Sequence, residues 1–412
     1  MRALLLICAT AVLSLQAQPK AQGFKLPNGL QVLLLEDHEH ALVRARLHLK
    51  IEPTDLPAGH QGLPLLTLRM IAHSDAADRT DEEQERMLED SGIRLGSATE
   101  PDGFEWHLVA RSREQDRAMA LLADRLLRSM FEPSVLESQR LACWQQEEGR
   151  EADPHARLRQ GLAQAPESKP TLASLGAITW EDLLLFRAKV FRPDRAVLVL
   201  HGDLGLEQAK RLVLLTLGSW SAQEATPAIE PSQVPSGPPL AAPATGLLTF
   251  PTVGAGLRVQ AVAPRPGGLA PEVARLLSLL IPGEGSLYPV GVRVEHGHLL
   301  ATFDAAPTAS GLSAWTLVQD RLAFLRQRGF SQVDLDRART AWTASRHLAS
   351  LHPEIQMGEA LDEVLGRAVI PQRMQSVSLE TLNEGLRRWL DPAKLRSGAT
   401  GDPERLATLP KP

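Results

Sequence analysis

Cysteine is almost absent from this chain. Only Cys8 and Cys143 occur, and Cys8 lies inside an apolar N-terminal run, preceded by Ile7, which does not suit a lipid-attachment site. Removal of that run would leave Cys143 alone, so an internal disulfide is excluded and the fold must rest on its cores. Aromatic residues make up 4%, with one tyrosine, Tyr288, and seven scattered tryptophans; core packing accounts for these better than a stacking platform would. Lysine and arginine (44) do not outnumber aspartate and glutamate (49), and the net charge of −5 argues against a nucleic-acid-binding face. No block of like charge suggests a solvating tail. Beyond the N-terminus no stretch approaches the about 20 apolar residues that a spanning helix needs, so no membrane span is expected. A Gly-x-Ser-x-Gly elbow, a phosphate-binding glycine loop and paired-cysteine zinc spacing are all missing.

What is present begins with an export signal. Arg2 supplies a positive start, Ala3 to Leu15 are apolar, and Ala17 offers a small residue for cleavage before the polar, Pro-containing stretch Gln16 to Gln22. Residues 1–17 are therefore expected to be a signal peptide, and the mature protein to be periplasmic or secreted. At 412 residues and 43% hydrophobic, the chain can build two cores of roughly 200 residues each. Residues 221–245 are rich in Pro, Ala and Ser; proline blocks helix interiors and sheet ladders, so this segment is expected to be a linker.

The segments on either side of it end alike. Ile178 with Val377, Pro193 with Pro392, Gly202 with Gly401 and Asp203 with Asp402 are each 199 positions apart, in matching helix–proline–strand surroundings. Gap-free landmarks of this kind argue for an internal duplication, with domains at 23–220 and 246–402. Strands are expected over Gln31 to Leu35 and Ala41 to Ile51, a helix over Gly62 to Ala72, and a second helix capped by Thr80 and Glu83. Ile93 to Ala98 and Phe104 to Ala110 alternate like an antiparallel pair. Long helices follow at Glu114 to Ser129 and Pro133 to Glu151, then at Leu312 to Arg328 and Gln332 to Leu351. The pattern predicts an α+β fold: two tandem similar domains, each an antiparallel sheet covered on one face by helices.

Leu26-Pro27-Asn28-Gly29-Leu30-Gln31-Val32, Gly62-Leu63, Leu88-Glu89-Asp90-Ser91-Gly92 with Asp102-Gly103-Phe104, and Val197 to Asp203 follow in an order and spacing that resembles the insulinase-type, pitrilysin-like (M16) zinc peptidases. That family includes the mitochondrial processing peptidases and the core subunits of respiratory complex III. The resemblance runs from about Gly23 to Asp402. Active members carry His-x-x-Glu-His: two imidazoles one helical turn apart hold Zn²⁺, and the glutamate takes a proton from the metal-bound water. Aligned on Gly62-Leu63, the three positions are Pro64, Thr67 and Leu68. Proline and leucine offer a metal no lone pair, and threonine has no carboxylate to serve as base. No catalytic residue, metal ligand or cofactor is therefore expected. Glu147 or Glu148 falls near the family's third ligand, and both are expected to be solvated helix residues.

Two-part bacterial relatives have a companion subunit without the zinc motif, whose second domain supplies an Arg and, seven positions on, a Tyr that grip the substrate backbone. Ser286 to Gly297 resembles that region. Arg293 matches the Arg and is the one candidate substrate contact; Leu300 stands at the Tyr position, and Tyr288 is on the wrong side. Other clusters compete with blander readings. Asp37-His38-Glu39-His40 is dense in ligand types but lies where a polar turn between strands is expected. Glu295-His296-Gly297-His298 would place two imidazoles on one face if extended. His60 and His73 flank the degenerate helix, but not at the motif spacing. The resemblance implies a non-catalytic subunit that pairs with a zinc-bearing partner of the same family to bind and process peptides. Alternatives are a scaffold or peptide-binding protein with no proteolytic role, and a metallopeptidase with a relocated metal.

Overall fold

The computed structural model describes residues 21–100, 102–162, 170–221, 247–252, 256–283, 290–295, 298–305, 310–349, 351–366 and 374–409. The expected signal peptide and nearly all of the expected linker lie outside them.

The first half runs β1 (Gln22–Lys25), β2 (Gln31–Glu36), β3 (Leu42–Lys50), α1 (Leu63–Ala72), α2 (Asp81–Ser91), β4 (Arg94–Glu100), β5 (Gly103–Arg111), α3 (Gln115–Arg128), α4 (Pro133–Ala152), α5 (Pro154–Leu162), α6 (Leu172–Ala177), α7 (Trp180–Val190), β6 (Ala196–Gly202) and α8 (Leu206–Leu217). The second runs β7 (Leu248–Pro251), β8 (Leu257–Pro264), α9 (Pro271–Gly283), β9 (Gly291–Glu295), β10 (His298–Ala305), α10 (Gly311–Arg328), α11 (Gln332–Ala349), α12 (Pro353–Leu365), α13 (Leu379–Trp389), β11 (Arg396–Gly401) and α14 (Pro403–Leu406). The architecture is α+β, as the pattern of elements predicts.

Local chemistry sets these boundaries. Thr80 accepts from the Glu83 amide while the Glu83 carboxylate accepts from the Thr80 amide, closing a capping box on α2, and Gly92 ends that helix at a φ of 62°. Thr179 with Asp182 caps α7 in the same manner. In α13, Ser378 caps, and Leu382, Leu386 and Trp389 bury one stripe. Along β3, Val43, Ala45, Leu47 and Leu49 turn to the core while Arg44, Arg46 and His48 take the opposite face, as period-two geometry requires.

The first sheet has the order β1-β2-β6-β3-β5-β4 and the second β7-β11-β8-β10-β9, so five strands of each follow one plan. Each sheet is antiparallel except for one pair, β2 with β6 and β7 with β11, because the strand that returns after the helices inserts in the middle of the sheet. Each half has its own main core on the helix-covered face.

A second feature adds to the expected layers. On the opposite face of the first sheet, Met357 and Leu361 of α12 bury Leu35, Val197 and Val199. On the second sheet, Leu158 and Leu162 of α5 bury Val262 and Leu300. The halves thus exchange helices, and all seven residues of β6 are buried because both its faces are covered.

Candidate functional site

Helix α1 begins at Gly62, where a Cβ would stand 2.5 Å from Leu175 Cδ2, so glycine lets the α6 segment pack close. Pro64 fits in the first turn, where its missing N–H costs no intrahelical bond. Leu63, Leu66, Thr67, Met70 and Ile71 are essentially buried. Of the three positions singled out in the sequence, Pro64 is half-buried, Thr67 is fully buried and Leu68 is buried. The Thr67 hydroxyl meets no hydrogen-bond partner among the described residues.

The facing helix is α4. Glu147 is buried, at 5% exposure, which corrects the expectation that it is solvated, whereas Glu148 is exposed as expected. The reason is helical geometry: Glu147 follows the fully buried Cys143 by one turn on the same inward stripe, and Glu148 is rotated away. Arg69 of α1 reaches across to donate to Gln139 and Gln146 of α4, at 3.5 and 3.0 Å. Burial pushes the Cys143 thiol above its usual value; Arg69 acts against this and Glu147 with it. The contact between α1 and α4 therefore offers one carboxylate, one thiol and an arginine. A catalytic zinc site needs three protein ligands and an open position, and this donor set does not fit one.

Arg293 lies exposed on β9. Its cross-strand partner on β10 is Leu300, so a seven-residue spacing here means direct opposition across a hairpin. Leu300 is 7% exposed and packs beneath Leu158 and Leu162. Tyr288 is outside the described residues. So are His296 and Gly297, between Glu295, which ends β9, and His298, which opens β10. His60 lies 3.5 Å from Asp182 and His73 lies 3.7 Å from Asp81, so the histidines flanking α1 each face a single carboxylate.

The run Asp37 to His40 divides. His38 bridges Asp203 and Glu36, at 2.8 and 2.9 Å, and these two carboxylates raise its pKa. Asp37, Glu39 and His40 come together, with one ligand atom from each within 4.8 Å of the others.

A polar quartet that sequence reading missed sits on the face of the first sheet opposite its main core. Glu105 accepts from Arg46 at 2.7 and 3.0 Å, and His48 and His107 stand 3.6 and 3.3 Å from its carboxylate. Burial would raise the Glu105 pKa, but His107, His48 and Arg46 together outweigh it and hold the carboxyl well below the usual range. The signal was parity: polar residues at alternate positions in strands whose other positions are apolar.

With this geometry in hand, comparison with known proteins is informative. The sequence model described as the peptidase M16 inactive domain matches residues 177–250. A protease from Helicobacter pylori superposes with a TM-score of 0.77 at 14% identity, over 93% of this chain and 99% of that one. A peptidase M16 inactive domain from Pseudomonas fluorescens gives 0.74 at 19% identity, over 95% and 100%. The fold is that of the M16 peptidases. The periplasmic protease PqqL from Escherichia coli shows the same M16 fold, with a TM-score of 0.72 at 15% identity; 98% of this chain is covered, but only 49% of PqqL. No curated protein sequence matches the chain.

Proposed function

We propose that this chain is an exported, non-catalytic M16-type subunit that pairs with a zinc-bearing partner of the same family to bind and process peptides in the periplasm. The observation that carries this reading is α1 itself: aligned on Gly62-Leu63, Pro64, Thr67 and Leu68 take the places of the family's zinc ligands and general base, on a helix whose Arg69 reaches across to α4. Two further facts support it. The chain corresponds to about half of PqqL, so a second chain of similar size would complete such an enclosure. The shared strand order of the two sheets also supports two tandem copies, over 23–220 and 246–402, joined through 221–245 after removal of 1–17.

In this reading each chain supplies a half-shell, and only one shell needs to carry the metal. Arg293 would hold a peptide carbonyl or carboxylate through its guanidinium. The test is peptide cleavage by the tag-free mature chain, by an M16 peptidase encoded beside it, and by the two together. The expected result is an inert chain that stimulates its partner, with Arg293→Ala weakening peptide binding about tenfold. Chelator-sensitive cleavage by this chain alone would overturn the reading, as would a partner that is fully active and does not associate.

The position of Leu300 favours a second reading. It is committed to the packing of α5, so the grip that an Arg–Tyr pair would provide is half gone. A scaffold with no proteolytic role would associate with its partner and leave the cleavage rate unchanged.

A further inference from the structure

We propose that a cavity between α10 and α13 is a binding site for the end of a peptide: a free carboxylate on a residue with a bulky apolar side chain. The cavity holds about 350 Å³ and lies wholly within the second half, where α10 and α13 meet the turn that leads into β11. That volume falls within the about 300–1,000 Å³ of ordinary ligand sites. Neither α1 nor Arg293 lines it, and the inference does not rest on the companion-subunit reading.

The lining divides in two. Its polar part consists of Gln319, Arg326 and Gln327 of α10 and Arg387 of α13: two cations, two amides and no carboxylate. Among the described residues neither arginine forms an ion pair. Asp391, close by in the chain, is engaged by the Ala393 amide at 3.1 Å and lies 3.8 Å from Lys394. Each arginine stands in the last turn of its helix, where the macrodipole favours a cation. That accounts for one positive charge on each helix. It does not account for both bordering one cavity without an acid, where like charges repel until an anion enters. The apolar part is a floor of Leu322 and Leu390, both buried, with Leu395 beside them. A cationic rim over an apolar floor fits an organic anion better than a small inorganic one, which would leave the floor uncovered.

The first half shows what such a corner takes. The 199-residue spacing that relates the halves matches Phe191 to Leu390 and Pro193 to Pro392. There Trp220, from the segment after α8, is buried and donates its Nε1 proton to the Phe191 carbonyl at 3.1 Å. The Asn28 amide donates to the carbonyls of Leu217 and Trp220, at 2.8 and 3.0 Å. A piece of backbone with one bulky apolar side chain fills the corner, and a side-chain amide holds its carbonyls.

In the second half the segment after β11 goes elsewhere. Thr408 accepts from the Gly311 amide at 2.9 Å, and Leu409 packs beside Gly311. Gly311 opens α10, about 18 Å along the helix from Ala323 in the cavity wall. The same spacing sets Arg326 against Leu127 and Arg387 against Ala188, so the two cations belong to the second half alone. The corner thus keeps its apolar floor, offers Gln319 and Gln327 in place of an asparagine, and adds two positive charges. The matching occupant is again a peptide segment, now one that ends in an anion. Guanidinium groups take a carboxylate through paired N–H donors, and the two amides can serve the carbonyls that precede it.

The test titrates tag-free mature protein calorimetrically with four probes. These are an acetylated tripeptide ending in phenylalanine with a free carboxylate, the same peptide as its C-terminal amide, decanoate, and inorganic phosphate. One free-carboxylate peptide per chain is expected to bind, and the amide at least about tenfold more weakly, because a charge-assisted pair is lost. Arg326 and Arg387 are both exposed, so Arg326→Gln/Arg387→Gln should leave Tm unchanged while weakening peptide binding at least about tenfold. Ala323→Trp, also at an exposed position, should fill the cavity and abolish binding. Arg293→Ala should leave this binding unchanged, which separates the site from the contact invoked in the companion reading. No binding of the free-carboxylate peptide, equal binding of the amide, or unchanged binding in the double variant would overturn the proposal. Decanoate or phosphate binding as tightly as the peptide would overturn the assignment to a peptide end.

Discussion

Thr67 is the residue at which the loss of zinc chemistry becomes a stability question. Its hydroxyl is buried without a partner, so it bears a desolvation cost with no bond in return. Thr67→Val keeps the shape and removes the polar atom; it should stabilise the chain by about 1 kcal/mol in urea unfolding and leave any stimulation of a partner unchanged. Lost stimulation would show that position 67 still has a chemical role. Glu105 poses the opposite case, a buried carboxylate held ionised by its neighbours. Glu105→Gln should cost about 3 kcal/mol at neutral pH, because Arg46 and two histidines lose their anion. The folded-state pKa is depressed, so this stability is fully present above the ordinary carboxylate value of about 4.3 and declines as pH falls from there toward the depressed folded-state value. The gap between wild type and variant should therefore narrow below about pH 4; a constant gap would mean the cost is steric rather than electrostatic.

At the scale of elements, the exchanged helices matter most. Leu158 of α5 is fully buried against the second sheet, and Leu361 of α12 is fully buried against the first. Each Leu→Ala change should cost about 3 kcal/mol, as for deep core positions, even though each helix belongs to the other half of the chain. Urea midpoints shifted by less than the equivalent of about 0.5 kcal/mol would show that the contact is peripheral. The strands and most long helices were legible beforehand because their apolar periods of two and 3.6 are local properties, and the caps at Thr80 and Thr179 mark their helix starts from within a few residues. The destination of α5 and α12 was not legible. The spacing of Leu158 with Leu162, and of Met357 with Leu361, marks an apolar stripe on each helix but does not name the sheet that will cover it.

For the molecule as a whole, mutual exchange means that neither half covers both faces of its own sheet. Separated, the first half would expose Leu35, Val197 and Val199, and the second Val262 and Leu300. A chain carrying an inserted protease site between Ser221 and Leu247 should, once cut, still elute as one particle and come apart only in denaturant. Two fragments that separate and each stay folded would refute this interdependence. The same exchange places the start of α12 beside the start of β3, where Arg44 approaches Glu354 at 3.7 Å.

What the residues alone determined was largely chemistry by subtraction. Pro64 and Leu68 offer a metal no lone pair and Thr67 has no carboxylate to serve as general base, wherever they stand. The α+β class likewise followed from short-range periodicity. Tertiary structure decided convergence. It buried Glu147 on the stripe of Cys143, slid Leu300 beneath a helix from the other half, and brought His201 to Asp37 across more than 160 residues. Such meetings depend on which strand returns to the middle of a sheet and on which face a distant helix finds to cover. Those choices are made by packing between elements far apart in the chain, so no window of sequence contains them.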